Sequence, residues 1–170
     1  MSYKRLLVLA VGVLALLGSA STASGSGKPS RELLGNQPFS LPAGVGCAFP
    51  TYYQPLVDRE ILTTFPAEAN GDVRALITGT LTARLTNLAD PRKSITVNIS
   101  GPGFVIFHPD GSVDLLGGGI SAWPFGPTDT PAGPNWWLFR GRLNMTITSN
   151  GQLVLNSISG RKQDLCLQLS

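Results

Sequence analysis

The sequence predicts an all-β fold, a single-domain antiparallel meander of eight or nine strands. Three observations predict it: apolar residues recur with period two over several long stretches, hairpin dipeptides separate those stretches, and no segment holds a convincing helical period. Two cysteines, Cys47 and Cys166, then bear on how the meander ends. A disulfide needs Cα atoms within about 7 Å, so the first and last strands have to lie close together, as they do when a meander closes into an up-and-down barrel. The alternative is a two-sheet β-sandwich.

From the N-terminus, Tyr3-Lys4-Arg5 forms a short basic head, residues 6–17 an unbroken apolar run and residues 18–23 a small-residue stretch containing Ala20 and Ala23. This is the pattern of a secretory signal peptide over 1–23, cleaved after Ala23. A run of twelve residues falls short of the roughly 18 that span a bilayer, so no permanent anchor is expected. No cysteine stands at the end of the run, which argues against a lipid anchor. Residues 24–44 are rich in Gly, Ser and Pro, with Leu33-Leu34 and Phe39-Ser40-Leu41 as the apolar points, and read as a flexible leader. The folding domain is then 45–170.

Its strands are expected near 45–49, 58–65, 73–88, 93–100, 103–108, 112–122, 136–148, 152–160 and 163–169. In 73–88 the odd positions Val73, Ala75, Ile77, Leu81, Ala83 and Leu85 alternate with Arg74, Thr78, Thr82, Arg84 and Thr86. Ile95, Val97 and Ile99 repeat the pattern, as do Trp137, Phe139, Leu143, Met145 and Ile147. Asp110-Gly111 and Asn150-Gly151 each sit between two such runs and predict hairpins, and Asn70-Gly71-Asp72 and Asp90-Pro91 mark further turns. Pro124, Pro127, Pro131 and Pro134 exclude a central strand or a helix interior from the stretch before Asn135. One short helical turn is allowed, with residues 57–62 the best place for it.

Without the signal, eleven Lys and Arg face ten Asp and Glu, so the formal charge drops from +3 to about +1. A near-neutral chain with no basic run or stripe gives no support for nucleic-acid or membrane-surface binding. Oxidation is the default outside the cytoplasm, so Cys47 and Cys166 are expected to bridge. Closing a loop of 119 residues contributes about 4–5 kcal/mol in the chain-entropy account.

Thr78-Gly79-Thr80, Thr86-Asn87, Asn98-Ile99-Ser100-Gly101-Pro102-Gly103, Pro109-Asp110-Gly111-Ser112, Gly141-Arg142 and Asp164-Leu165-Cys166 together resemble a group of small secreted actinobacterial (Streptomyces-like) proteins of unknown function. The resemblance covers residues 45–170 and consists of turn and strand punctuation. It implies export from a Gram-positive bacterium and a β-rich domain closed by a cysteine pair, and it supplies no catalytic residues.

Chemistry has few candidates. His108 is the only histidine, and any Ser-His-Asp or Cys-His mechanism would have to use it. At a strand end beside a turn it reads as a plain surface residue. One histidine and two bridged cysteines leave no closed zinc site, and no cofactor or metal is expected. Asp58 with Glu60, and Asp110 with Asp114, have the same-face spacing of paired carboxylates, although exposed strand and turn acids account for them equally well. Asp110 to Asp114 lacks the later ligands of a calcium loop. Trp123, Phe125 and Trp136 flank the proline-rich stretch and would form the mouth of the barrel, where aromatic planes hold sugars or apolar ligands. Trp137 belongs to the odd, core-facing set.

Arg140 and Arg142 share the even face, as do Arg74 and Arg84, and two arginines at i, i+2 can grip an anion. Asn98-Ile99-Ser100 and Asn144-Met145-Thr146 match the glycosylation pattern, by chance in a bacterium. The leading expectation is therefore a secreted monomeric barrel with no catalytic residue, binding a small molecule or glycan or contacting the cell envelope through Trp123, Phe125, Trp136, Arg140 and Arg142. A carboxylate-dependent hydrolase or isomerase and a cell-surface interaction protein are the alternatives. The first two separate on whether an acid lines a cavity. Intact-mass measurement on protein from the culture medium is expected to begin at Ser24 and to lie two hydrogens below the reduced form. Free thiols or an uncleaved chain would refute this reading of export.

Overall fold

The computed structural model describes residues 27–170, so the signal peptide assigned to 1–23 lies outside the described residues. The described chain is all-β in two antiparallel sheets. Its strands are β1 (Ser30–Leu33), β2 (Phe39–Leu41), β3 (Thr51–Asp58), β4 (Ile61–Thr64), β5 (Val73–Thr78), β6 (Leu81–Asn87), β7 (Ser94–Asn98), β8 (Gly103–Phe107), β9 (Val113–Phe125), β10 (Asn135–Ile147) and β11 (Leu153–Asp164), with a helical turn α1 (Cys166–Leu169) at the end. The larger sheet has the order β1-β4-β5-β8-β9-β10-β11, and the smaller one β2-β3-β6-β7.

No barrel closes among the described residues. β1 and β11 remain edges of the large sheet and β2 and β7 edges of the small one, so the sandwich alternative fits and the up-and-down barrel is corrected. The reason is that four consecutive chain segments pass from one sheet to the other: 30–41, 51–64, 73–87 and 94–107 each give one strand to each sheet. Strands that switch sheets form the corners of a sandwich.

Gly79 shows how the corner is made. Its φ of 132° lies where side chains are strongly disfavoured, and a Cβ there would run into the Arg59 carbonyl of the neighbouring segment. The Arg59 amide donates to the Thr80 carbonyl at 2.8 Å, which binds the two bends together. On the other side, the Leu81 amide donates to Ser100 Oγ at 2.8 Å. The single strand expected over 73–88 is therefore two, β5 and β6. Parity survives the bend, with Ala75, Leu81, Ala83 and Leu85 all buried, so alternation along the sequence passes through it unbroken.

The long strands β9, β10 and β11 carry a related kink, where Gly119, Gly141 and Gly160 pair in one row, all at positive φ. A Cβ on Gly141 would strike the Ser159 carbonyl. Trp136 and Leu138 of β10 pack against Tyr53, Ala83, Leu85 and Val97 of the small sheet. Phe139, Leu143 and Met145 of the same strand form a separate core with Phe125 and Leu153. A third cluster, built on Leu62, Ala75 and Val105, meets the second at Leu115.

The disulfide joins Cys47 to Cys166 with Cα atoms 5.5 Å apart. It does not tie a first strand to a last one. Residues 45–49, expected as a strand, form a tight turn in which the Gly44 amide donates to the Cys47 carbonyl at 2.8 Å. Residues 163–169 leave the sheet at Asp164, whose carboxylate accepts from the Cys166 amide at 2.8 Å and starts α1. Leu165 and Leu169 are then buried beside Cys47 between the sheets. Among the described residues the one helical turn is thus at the C-terminus, and 57–62 holds the end of β3, the bend at Arg59 and Glu60 and the start of β4.

The flexible leader expected over 24–44 is likewise corrected in its later part, which supplies β1 and β2. Its apolar points explain why: Leu41 is buried, and Phe39 stacks on Tyr53 at 4.7 Å between centroids. The hairpins at Asp110-Gly111 and Asn150-Gly151 form as expected, each closed by two backbone bonds. Gly79→Ala is expected to destabilise the fold by more than about 1 kcal/mol, the usual range for a residue swap that the backbone tolerates. Urea unfolding measures it, and an unchanged midpoint would show that the corner does not depend on this glycine.

Candidate functional site

A shallow depression lies on the face of the large sheet that carries Arg142 and Asn144. Register aligns Leu76, Phe104, Leu116, Asn144 and Ser157 in one row across β5, β8, β9, β10 and β11. Beside that row Gly103 pairs with Gly117, and Gly118 follows, so part of the surface falls to backbone level. The result is a groove of about 570 Å³ with an apolar wall and with Arg142, Asn144 and Ser159 at its polar end. Phe104 is 47% exposed and Leu116 41%, so both keep apolar surface in contact with solvent. Arg142 is exposed and has no ion-pair partner among the described residues.

The structure does not bring the sequence-predicted aromatic set together as a mouth. Trp136 is 2% exposed, between the sheets, with Phe39 stacked at 6.2 Å. Phe125 is fully buried in the second core, edge-on to Phe139, and Trp123 is half-buried beside it. Alternation sends Trp136 and Trp137 to opposite faces, but both faces are covered here: Lys162 Nζ lies 4.2 Å from the Trp137 ring centre. All three indole nitrogens lack a hydrogen-bond partner. Burying a ring of about 150–250 Å² is worth about 4–6 kcal/mol, more than the roughly 1–3 kcal/mol an unpaired N–H costs, so packing governs these positions.

Arg140 and Arg142 line different depressions. Arg142 belongs to the groove, and Arg140 to a smaller cleft with Thr96, Asn98, Gln163 and Gln168. Arg74 pairs with Glu68 at 2.6 Å and is accounted for there.

His108 is more than a plain surface residue. Its Nδ1 lies 2.9 Å from Asp72 Oδ1 and its Nε2 3.3 Å from Asp114 Oδ2, while Thr146 Oγ1 donates to Asp114 Oδ1 at 2.7 Å. β5 and β8 are register neighbours, so the turn before one and the turn after the other bring Asp72 and His108 together. The hydrogen bond to Asp72, then that to Asp114, raises the pKa of His108 above its ordinary 6.5. A general base needs a ring nitrogen with a free lone pair, and here both nitrogens face carboxylates. The cluster therefore favours the protonated imidazole and staples two turns, and Thr146 is turned toward Asp114 instead of the imidazole.

The other carboxylate set sits at the sheet corner. Glu60 is 6% exposed. Asn36 Nδ2 donates to Glu60 Oε2 at 2.9 Å and to Asp58 Oδ2 at 3.2 Å, and the Asn36 amide donates to Asp58 Oδ2 at 2.6 Å. Burial pushes the pKa of Glu60 up from 4.5, and the Asn36 bond opposes this in part. Burial also pushes the Tyr53 phenol up, with the Glu60 and Asp58 charges adding to it. Asn36 could not be found from sequence because it lies in the segment that reads as a leader. Glu60 lines neither the groove nor the cleft. Asp110 accepts from the Ser112 amide and hydroxyl within its own hairpin, at 2.8 and 2.6 Å. No group of three or more metal-ligating side chains is placed to hold an ion among the described residues.

No family model matches the chain, no curated protein matches it, and no solved structure matches its fold. A group whose folded pKa is raised contributes stability that is full below its unfolded value and fades as pH rises through the folded one. His108→Gln is thus expected to destabilise the protein by about 1 kcal/mol or less at pH 5.5 and by next to nothing at pH 9. Thermal melts of both proteins across that range would refute the stabilising role of the His108 cluster if the difference grew with pH.

Proposed function

We propose that the protein is an exported, non-enzymatic binding protein that holds a small amphipathic, anionic ligand in the groove that Leu76, Phe104, Leu116 and Arg142 line on its large sheet. One observation carries the reading: an apolar row that stays exposed beside a glycine-lowered surface, ending at the unpaired Arg142. Apolar contact area supplies affinity, and a guanidinium fixes orientation by charge-assisted hydrogen bonds. The disulfide is compatible with an oxidising compartment, and no helix among the described residues is long and apolar enough to cross a membrane. Export, a bacterial source of the actinobacterial kind and a monomeric state belong to the same proposal.

The carboxylate-enzyme reading has one observation in its favour, the buried Glu60 beside Asp58. A hydrolase needs its acid and base to reach substrate across an open site. Glu60 faces Asn36 at the corner and lies outside both depressions.

Titration with decanoate, followed by backbone amide chemical shifts, tests the binding reading. Shifts are expected to cluster at Gly103, Phe104, Gly117, Gly118 and Asn144. Arg142→Ala and Phe104→Ala are each expected to weaken binding about tenfold. Scattered shifts, or equal affinity for decyltrimethylammonium, would overturn it.

A further inference from the structure

The cleft where the two sheets part has a different chemistry from the groove. It measures about 160 Å³ and collects polar side chains from four elements: Asn98 of β7, Arg140 of β10, Gln163 of β11 and Gln168 of α1. The Asn98 Oδ1 already accepts from the Ser100 amide at 2.9 Å, which leaves its NH2 to donate, while Gln163 and Gln168 offer both donors and acceptors. The Cys47–Cys166 bridge sits at the first residue of α1, which holds Gln168 in place beside the strands.

Two further observations point to an anion. In the β10–β11 register Arg140 stands directly opposite Arg161, on the face that also carries Leu138 and Gln163. Like charges directly opposite each other on a sheet are unfavourable. Both arginines are exposed, and neither has an ion-pair or hydrogen-bond partner among the described residues. No acidic side chain among the described residues pairs with either, and an oxyanion between them would offset the repulsion. The second observation is main-chain. The Ile99 amide donates to the Leu81 carbonyl at 2.9 Å, and antiparallel pairs alternate, so Thr96 and Asn98 turn their N–H and C=O groups away from β6. β7 is the free edge of the small sheet, and its Thr96, Val97 and Asn98 line the cleft.

We propose that this cleft is a second ligand site, independent of the groove, that takes a single anionic sugar residue. Arg140 and Arg161 bind its carboxylate or phosphate. Asn98, Gln163 and Gln168 exchange hydrogen bonds with its hydroxyls, together with the free edge of β7. This also changes the arginine pairing expected from sequence: the partner of Arg140 is its cross-strand neighbour and not Arg142.

Amide shifts of the full chain titrated with glucuronate, glucose 6-phosphate, glucose and inorganic phosphate test this. Glucuronate or glucose 6-phosphate is expected to shift Thr96, Asn98, Gln163 and Gln168 and to leave Phe104 and Gly117 unmoved, and whichever binds more tightly identifies the acid. Arg140→Gln and Arg161→Gln are each expected to weaken that binding about tenfold, with a melting temperature that does not fall, since each removes one of two repelling charges. Added salt is expected to weaken it further. Glucose or inorganic phosphate binding as tightly as the charged sugar would overturn the proposal, as would affinity that survives both substitutions or no shift at millimolar sugar. Because the groove reports through Phe104 and Gly117, failure here leaves the decanoate result standing on its own.

Discussion

The sheet corner is the constraint on which the rest of the structure depends. Four chain segments have to leave one sheet and enter the other within a few residues, in register with one another. That is possible only where backbones approach more closely than side chains allow, which Gly79 provides against Arg59. The row of Gly119, Gly141 and Gly160 kinks the three long strands in a similar way. One set of bends thus divides the apolar residues into a core between the sheets and the clusters joined at Leu115.

The corner also decides where polar groups end up. Turning the chain at Asp58 and Glu60 takes the Glu60 carboxyl out of water, and among the described residues only the side-chain amide of Asn36 donates to it. Ionising a group so placed costs stability, so Glu60 acts against the fold as pH rises, whereas the His108 cluster acts for it at low pH. Both effects are local. The first results from the corner, and the second from turns that β5, β8 and β9 bring side by side.

Much of the fold is legible in the residues. Period two identifies β5 to β11 within a few positions, and Asp-Gly and Asn-Gly place two hairpins because glycine alone accepts the positive φ at Gly111 and Gly151. The cysteine pair is legible from composition and spacing. The candidate sites are less so. Trp123, Phe125 and Trp136 look like a binding surface because large aromatics beside prolines serve equally well as cover, and only burial separates the two roles. Arg142 could be singled out by its strand face, yet its neighbours Leu76, Phe104 and Leu116 come from three other strands. Arg161 was beyond reach for the same reason, since cross-strand register is not written in either strand alone.

By itself the sequence determined the class, the strand content, the hairpins and the disulfide. These depend on local backbone preference and on the alternation of side chains along one strand. Tertiary structure decided sandwich over barrel, the two strands drawn from the apparent leader, the burial of the tryptophans and the separation of Arg140 from Arg142. Those outcomes depend on where a bend sends each strand, and a bend at glycine keeps the parity of the apolar pattern, so the pattern runs through it without a mark. The cysteine pair shows the difference most plainly: its spacing announced a bridge, but only the turn at Asp164 showed that the bridge pins a helical turn between two sheets instead of sealing a barrel.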